Sequence, residues 1–210
     1  MMILQQDDIV NLEQRYRTAF INSLAGYRQA LLIGTKSLAD DTNLAIFNSL
    51  IHLGANPALF GFISRPGTVQ RDTLKNILDT GEYTFNYVTA VDFEKAHQTS
   101  ARYETGVSEF DEVGFTSQYI DPYNAPFVEE AVVKISMKLE DKIDIKINGT
   151  ILMIGSIQYI KLNENIVSAD GFVDLEKENV LVSCGLDAYF KTQSLGRLTY
   201  PKPNKWPTLF

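Results

Sequence analysis

The feature that most constrains the fold is a long alternation of apolar and polar residues from Val133 to Ile147. The odd positions are apolar except at Asp141, and the even positions are charged or serine. Because successive side chains of a strand point to opposite faces, this pattern predicts a half-buried strand with a bulge or bend at Asp141. Asn148-Gly149 predicts a type I′ turn into a return strand over Thr150–Leu162.

Other segments are also predicted to be strands, because they are short, apolar and bounded by turn residues. They cover Ala30–Thr35, Asn43–Leu53, Ala58–Ser64 and Tyr83–Val88. A helix is expected from a cap at Asp72 to Gly81, with short helices over 93–99 and within 170–182. This content indicates a mainly β fold, an antiparallel barrel or sandwich. No GxGxxG follows a strand, which disfavours a dinucleotide-binding parallel sheet.

We interpret the chain, 1–210, as a single domain, because no repeat or linker divides it. Residues 1–28 are a polar leading segment, predicted to form a strand or a short helix. Residues 100–124 are predicted to be rich in loops, and residues 200–210 form an extended, proline-rich C-terminal arm.

The charge balance narrows the classes of partner. Lys and Arg number 19 against 26 Asp and Glu, a net charge of −7, which disfavours binding to nucleic acid and to anionic membranes. One cysteine, Cys184, fits a reducing cytoplasm, and the N-terminal residues lack a secretory pattern. No apolar run approaches the roughly 20 residues of a membrane-spanning helix.

The titratable residues suggest neither a metal site nor a hydrolytic site. The two histidines, His52 and His97, lie far apart in sequence, and no His or Cys pair has metal-ligand spacing. The chain also lacks a Gly-x-Ser-x-Gly or Walker motif. We therefore expect no metal and no catalytic side chain of these kinds.

With metal and hydrolytic sites set aside, the spacing of the residues leaves an anion-binding site as the remaining candidate. Between residues 63 and 76 the chain leaves a strand, turns and enters a helix, with Arg65, Arg71 and Lys75 as cationic donors and Thr73 as a hydroxyl. A helix N-terminus beside arginine and threonine suits a phosphate. A solvated helix cap with ordinary surface charges explains the same residues.

A longer pattern resembles the flavin reductase-like family. The run from Asp41 to Val88 is similar to that family's flavin-binding core, and Ala96–Thr116 to its Gly-Val-Ser-Glu-Phe segment, with Phe115 where leucine is usual. The elements follow the family's order over most of residues 30–203. The matching positions are Asn43, Ala45, Phe47, Asn48 and Ser49 in the first element and Arg71, Asp72, Thr73 and Asn76 in the helix start.

The resemblance implies a six-stranded antiparallel Greek-key split barrel with a few short helices, and a homodimer with FMN, favoured over FAD, near the interface. It implies that Asn43, Ala45, Phe47, Asn48 and Ser49 line the flavin, and that Arg65, Arg71 and Thr73, with the helix start, hold the phosphate. Ser64 and Asn76 are also expected to contact the cofactor. Ser100 is expected near the flavin and Tyr189 at one end of the pocket. Phe47 could instead be a core aromatic, Asn43 a turn residue and Tyr189 a dimer contact.

The function that this resemblance implies is NAD(P)H-dependent flavin reduction, with hydride passing to flavin N5 and with an oxygenase or another acceptor downstream. Two alternatives stay open: an FMN-binding electron carrier, and a cofactor-free dimeric binding module. The Ser108–Phe110 loop could be structural or could shape the substrate side.

Overall fold

The computed structural model describes residues 1–65, 72–104 and 106–210. The helices are α1 (Gln6–Asn11), α2 (Gln14–Leu24), α3 (Asp72–Thr80), α4 (Phe93–Gln98) and α5 (Glu109–Val113), with 3₁₀ turns at Ala90–Asp92 and Glu164–Ile166. The strands are β1 (Tyr27–Gln29), β2 (Leu31–Lys36), β3 (Thr42–Phe47), β4 (Ile51–Ala55), β5 (Ala58–Ser64), β6 (Glu82–Tyr87), β7 (Ser117–Ile120), β8 (Tyr123–Val128), β9 (Val133–Ile145), β10 (Thr150–Leu162), β11 (Val182–Cys184) and β12 (Ala188–Phe190).

The main sheet has seven strands in the order β3-β2-β6-β9-β10-β5-β4, and its neighbouring strands are antiparallel. The predicted number of six is wrong, because residues 43–53 form two strands and not one. The chain leaves β3 at Phe47 and enters β4 at Ile51, on the opposite edge of the sheet. The Greek-key connection of the strands stays a prediction.

The sheet must curl, because its two edge strands are joined by only residues 48–50. Seven strands laid flat at their usual spacing would separate the outer strands by about 29 Å. The short link spans at most about 15 Å. The curled sheet encloses an apolar core that includes Phe62, Tyr83, Phe85, Met137 and Met153.

The hairpin of β9 and β10 is confirmed, with a different turn. Glu140 is the extra residue that bulges β9, beside the predicted position at Asp141. Ile145 pairs with Thr150, so the loop has four residues, and only Gly149 of the Asn-Gly pair has a positive φ. The type I′ prediction is therefore wrong. The Asn148 side chain explains the difference, since its Oδ1 accepts the N–H of Thr150 at 3.1 Å.

A second apolar cluster lies outside the curled sheet, between β2 and β3 and the helices α4 and α5. It contains Leu32, Leu44, Ala96, Phe110 and Leu181, among others. Two smaller sheets, β7-β8 and β1-β11-β12, complete the strand content of the described chain. The small sheet β1-β11-β12 carries Tyr189 toward this second cluster.

The terminal segments pack loosely. The leading segment forms α1, α2 and β1, and no residue of either helix is buried. At the other end the chain turns between Lys202 and Lys205, and Leu198 and Leu209 form a bridge, so residues 197–210 double back as a narrow hairpin. Among the described residues, no helix combines the length and apolarity needed to cross a membrane.

The prediction of a short helix within 170–182 is wrong. This segment consists of turns and short bridges, and a 3₁₀ turn precedes it at Glu164–Ile166. Val167 bridges Val173, and Asn179 adopts a positive φ of 50°, which a helix does not allow. Pairing with the chain next to the 3₁₀ turn, including the hydrogen bond of 2.8 Å from the Asp174 N–H to the Ile166 carbonyl, replaces the helical hydrogen bonds.

Candidate functional site

A buried polar cluster joins β2, β3 and the first turns of α3. The Asn43 Nδ2 atom donates to Thr73 Oγ1 at 2.9 Å and to Thr35 Oγ1 at 3.2 Å. The Asn76 Nδ2 atom donates to the same Thr35 oxygen at 3.1 Å. All four residues are buried. The structure thus brings together three predicted site residues that lie up to 33 positions apart.

Thr35 is the member of this cluster that the sequence analysis missed. It sits in an apolar strand, where a threonine is unremarkable by composition. Its position opposite Asn43 in the β2–β3 register makes it the shared acceptor of two amides. The signal that could have identified Thr35 is its place as a polar residue at the end of an apolar run.

Asn48 links the site strand to the small sheet. Its Nδ2 atom donates to Ser183 Oγ at 3.1 Å and to the Gly185 carbonyl at 3.0 Å. These partners lie 135 and 137 residues away in the chain. Sequence spacing alone could not have identified them.

Ser49 closes the bend between β3 and β4. Its Oγ donates to the carbonyl of Ile63 and accepts the N–H of the same residue, both at 3.1 Å. The hydroxyl is thus engaged with the backbone of β5. The structure supports a role for Ser49 in shaping the bend that carries Asn48.

Three further predicted residues are buried or partly buried in the strands. The ring of Phe47 meets that of Phe62 edge-on at 5.1 Å and packs against the inner core. Ala45 is half-buried and pairs with Ile33, and Ser64 is buried at the end of β5. This packing fits the core alternative for Phe47, and its contact with the flavin stays a prediction.

The other predicted residues that the structure describes lie on separate elements. Arg65 is exposed where the described chain stops, and Arg71 lies outside the described residues. Asp72, predicted as a helix cap, is the first residue of α3, and the position before it lies outside the described residues. Ser100 is exposed just after α4, and its N–H donates a hydrogen bond to the carbonyl of His97. Tyr189 is half-buried, and its hydroxyl lies 2.8 Å from His97 Nδ1.

The Ser108–Phe110 loop docks on the outer edge of β3. Glu109 Oε2 accepts the N–H of Leu44 at 2.9 Å, and the hydroxyls of Ser108 and Thr42 lie 2.7 Å apart. Phe110 is buried in the second apolar cluster. Burial raises the pKa of Glu109, and the hydrogen bond from Leu44 opposes that shift. The sequence allowed two roles for this loop, a structural role and shaping of the substrate side. The contacts with β3 and with the second apolar cluster are structural.

A surface pocket of about 230 Å³ opens beside the buried polar cluster that contains Asn43 and Asn76. It lies between the start of β3 and the start of α3. Lys75 is the cation of its described lining, and it is paired with Asp79 at 2.7 Å. Asp41 and Asp72 also line the pocket, so the described lining is acidic. The described lining is Ser37, Leu38, Ala39, Asp41, Thr42, Asn43, Asp72, Lys75, Asn76, Gly106 and Val107.

Comparison with known proteins identifies the family. A sequence profile of the flavin reductase like domain matches residues 27–176, more than half of the chain. The chain belongs to the flavin reductase-like family. The matched span includes β3, the bend at Asn48 and Ser49, α3 and the loop that docks on β3.

Solved structures agree with this assignment to the flavin reductase-like family. A split barrel protein of Shewanella frigidimarina, assigned to the flavin reductases, is 45% identical, with 96% of this chain and 100% of that chain covered and a TM-score of 0.92. Nitrilotriacetate monooxygenase component B from Bacillus cereus shares the fold at 17% identity, with 94% and 98% covered and a TM-score of 0.82.

A protein of unassigned function from Aquifex aeolicus is 30% identical over 128 residues. The match covers 61% of this chain and 64% of that protein, so it spans less than two thirds of the relative's length. Family membership supports an oxidoreductase that uses a flavin.

The described residues fit a flavin nucleotide in their chemistry. β3 is an edge strand, and the Glu109 carboxylate accepts the outward N–H of Leu44. This contact does not involve the backbone groups of the later part of β3. An exposed strand edge offers alternating donors and acceptors. The start of α3 contributes first-turn N–H groups that have no partner within the helix. A flat ring with polar edges and a terminal anion matches these two features.

Proposed function

We propose that this protein binds FMN and catalyses NAD(P)H-dependent flavin reduction. The observation that carries the proposal is the buried cluster of Asn43, Thr73 and Asn76, which ties the edge strand β3 to the start of α3. A ligand with a planar ring at one end and an anion at the other would contact both elements. Family membership supplies the flavin as the ligand class.

Thr73 and Arg71 are the proposed holders of the phosphate. The Thr73 oxygen accepts a hydrogen bond from Asn43, so its own hydroxyl hydrogen can still be donated to an anion. The helix dipole of α3 favours negative charge at the same end. The described lining of the neighbouring pocket is acidic, so we propose that the positive charge comes from Arg71, with Arg65 nearby in sequence.

The bend at Asn48 and Ser49 would hold the ring system. Ser49 fixes the bend through the backbone of Ile63, and Asn48 is oriented by Ser183 and Gly185. When bound, FMN supplies a hydride acceptor at N5 for a nicotinamide donor. The residues of the chain need only align the two rings and exclude water, and alignment accounts for most of the rate advantage in such a step.

The absorbance spectrum of the purified protein, before and after anaerobic addition of NADH or NADPH, tests this function. We expect flavin absorbance that bleaches with at least one of the two donors. Tightly bound flavin that neither donor bleaches would favour an electron carrier. A colourless protein that ignores added FMN would favour a cofactor-free binding module.

A substitution at Arg71 tests the phosphate site separately. Arg71→Ala should weaken FMN binding by about tenfold or more, since a hydrogen bond to a charged group contributes about 1.5–3 kcal/mol. Binding of riboflavin, which lacks the phosphate, should change little. Fluorescence titration of both flavins measures the ratio, and Arg102→Ala at an exposed position is the matched control. Equal losses for the two flavins would contradict the assignment.

We also propose that the protein works as a homodimer and passes electrons to an oxygenase or another acceptor. The fold shared with component B of nitrilotriacetate monooxygenase supports this class of partner. Mixing the protein with a candidate oxygenase and NADH should couple donor oxidation to substrate oxygenation.

A further inference from the structure

An aromatic cluster lies on the outer surface where α4 meets β12. We define it as Phe93, His97 and Tyr189. The rings of His97 and Tyr189 meet edge-on at 5.6 Å, and those of Phe93 and Tyr189 lie 6.0 Å apart. Phe93 and His97 are four positions apart on α4, so they face the same side of the helix. Both are exposed, and Tyr189 is half-buried.

The aromatic cluster is connected to the proposed flavin site by two short steps. Tyr189 is the cross-strand partner of Ser183, so the two side chains lie on the same face of the small sheet. Ser183 Oγ accepts the hydrogen bond from Asn48. Tyr189 also packs against the second apolar cluster together with Ile46 of β3. Tyr189 is thus linked to the bend through Ser183 and Asn48, and it shares the second apolar cluster with β3.

His97 holds this ring in place. Its Nδ1 atom and the Tyr189 hydroxyl share a hydrogen bond of 2.8 Å. Burial, and then the nearby Asp187, raise the pKa of Tyr189, so the phenol keeps its proton at neutral pH and remains available for this bond. A half-buried ring that is fixed by a polar partner has little rotational freedom left to lose on binding.

We propose that the aromatic cluster is the docking wall for the nicotinamide ring of the electron donor, with Tyr189 as the contacting residue and His97 as its positioning residue. This inference rests on the proposed function. Three aromatic side chains offer ring faces and edges to a planar heterocycle. The exposed imidazole has a second nitrogen that could meet a carboxamide. No group of the cluster needs to exchange a proton.

Steady-state kinetics and flavin titration, carried out on the same variants, test the inference. Tyr189→Ala should raise KM for the donor by about tenfold, the effect of losing one aromatic contact. His97→Ala should raise KM by a smaller factor and His97→Gln should restore part of the loss, because glutamine can bond the phenol. In the His97 variants we expect kcat and FMN affinity to change by less than about twofold, a limit that corresponds to roughly 0.4 kcal/mol.

Tyr103→Phe is the matched control, because it removes the neighbouring hydrogen bond of 3.1 Å from Gln98 at the end of the same helix. It should leave the donor KM unchanged. An unchanged donor KM in both His97→Ala and Tyr189→Ala overturns the inference, and so does a parallel loss of FMN affinity in the His97 variants. Because His97 is exposed, its variants should fold even if Tyr189→Ala does not. If the wild-type protein binds no flavin or is not bleached by a nicotinamide, the proposed function itself fails.

Discussion

At the scale of single residues, Tyr83 and Gly155 show how tightly the inside of the curled sheet is packed. Tyr83 is fully buried, and its hydroxyl has no hydrogen-bond partner among the described residues. Gly155 of β10 faces this hydroxyl, and a Cβ atom at that position would overlap it. The core therefore keeps a polar atom without a partner and a glycine that makes room for it.

This pair yields a stability prediction. Tyr83→Phe should raise the free energy of unfolding by about 1 kcal/mol, because the cost of the unpaired hydroxyl disappears. Gly155→Ala should lower it by about 1–3 kcal/mol through overpacking. The double variant should recover part of that loss. Urea denaturation measures all three, and a destabilised Tyr83→Phe would show that the hydroxyl has a partner in solution.

At the scale of elements, the decisive event is the docking of α5 on β3. An edge strand exposes a row of backbone groups, and Glu109 satisfies one of them at Leu44. Because burial raises the pKa of Glu109, the folded state binds its proton more readily than the unfolded chain does. The contribution of this group to stability therefore falls as pH rises from the ordinary glutamate pKa of 4.5 to the raised one.

Two substitutions at Glu109 separate its charge from its hydrogen bond. Glu109→Gln keeps an acceptor for Leu44 and removes the buried charge, so stability at pH 7 should stay equal or rise. Glu109→Ala leaves the N–H without its partner and should cost about 1–3 kcal/mol. Unfolding between pH 4 and pH 7 is the measurement, with Glu112→Gln on the exposed side of α5 as the control. A variant that keeps the wild-type pH dependence would contradict the pKa argument.

At the scale of the whole molecule, the terminal segments expose many large apolar side chains. Neither α1 nor α2 buries a residue, and the C-terminal hairpin exposes its large side chains. Exposed apolar surface concentrated in this way marks association. The exposed residues include Ile3, Val10, Leu24, Tyr27, Leu195, Tyr200, Trp206 and Phe210.

We therefore expect a homodimer in solution, with the C-terminal hairpin at or near its interface. Sedimentation should give twice the 23.6 kDa of one chain. Trp206 is the single tryptophan of the chain and is 90% exposed in the isolated protomer, so it reports on this region directly. Its emission should be blue-shifted in the dimer and shift to the red on dilution. A monomeric mass at all concentrations would contradict this expectation.

The sequence by itself determined the elements whose signals are local. The alternation along β9, its bulge and the span of β10 follow from the side-chain period of a strand, and Gly81 ends α3 with a φ of 74° as its position predicts. The order of motifs also sufficed to predict the family, because that order survives local divergence.

Only the tertiary structure decided how these elements meet. Residues 43–53 look like one apolar strand, but Ser49 bonds β5 and Asn48 bonds the small sheet, so the strand breaks and its halves join opposite edges. His97 meets Tyr189 across 92 positions of the chain. Such contacts depend on how a curled sheet closes, and no local pattern of residues encodes that closure.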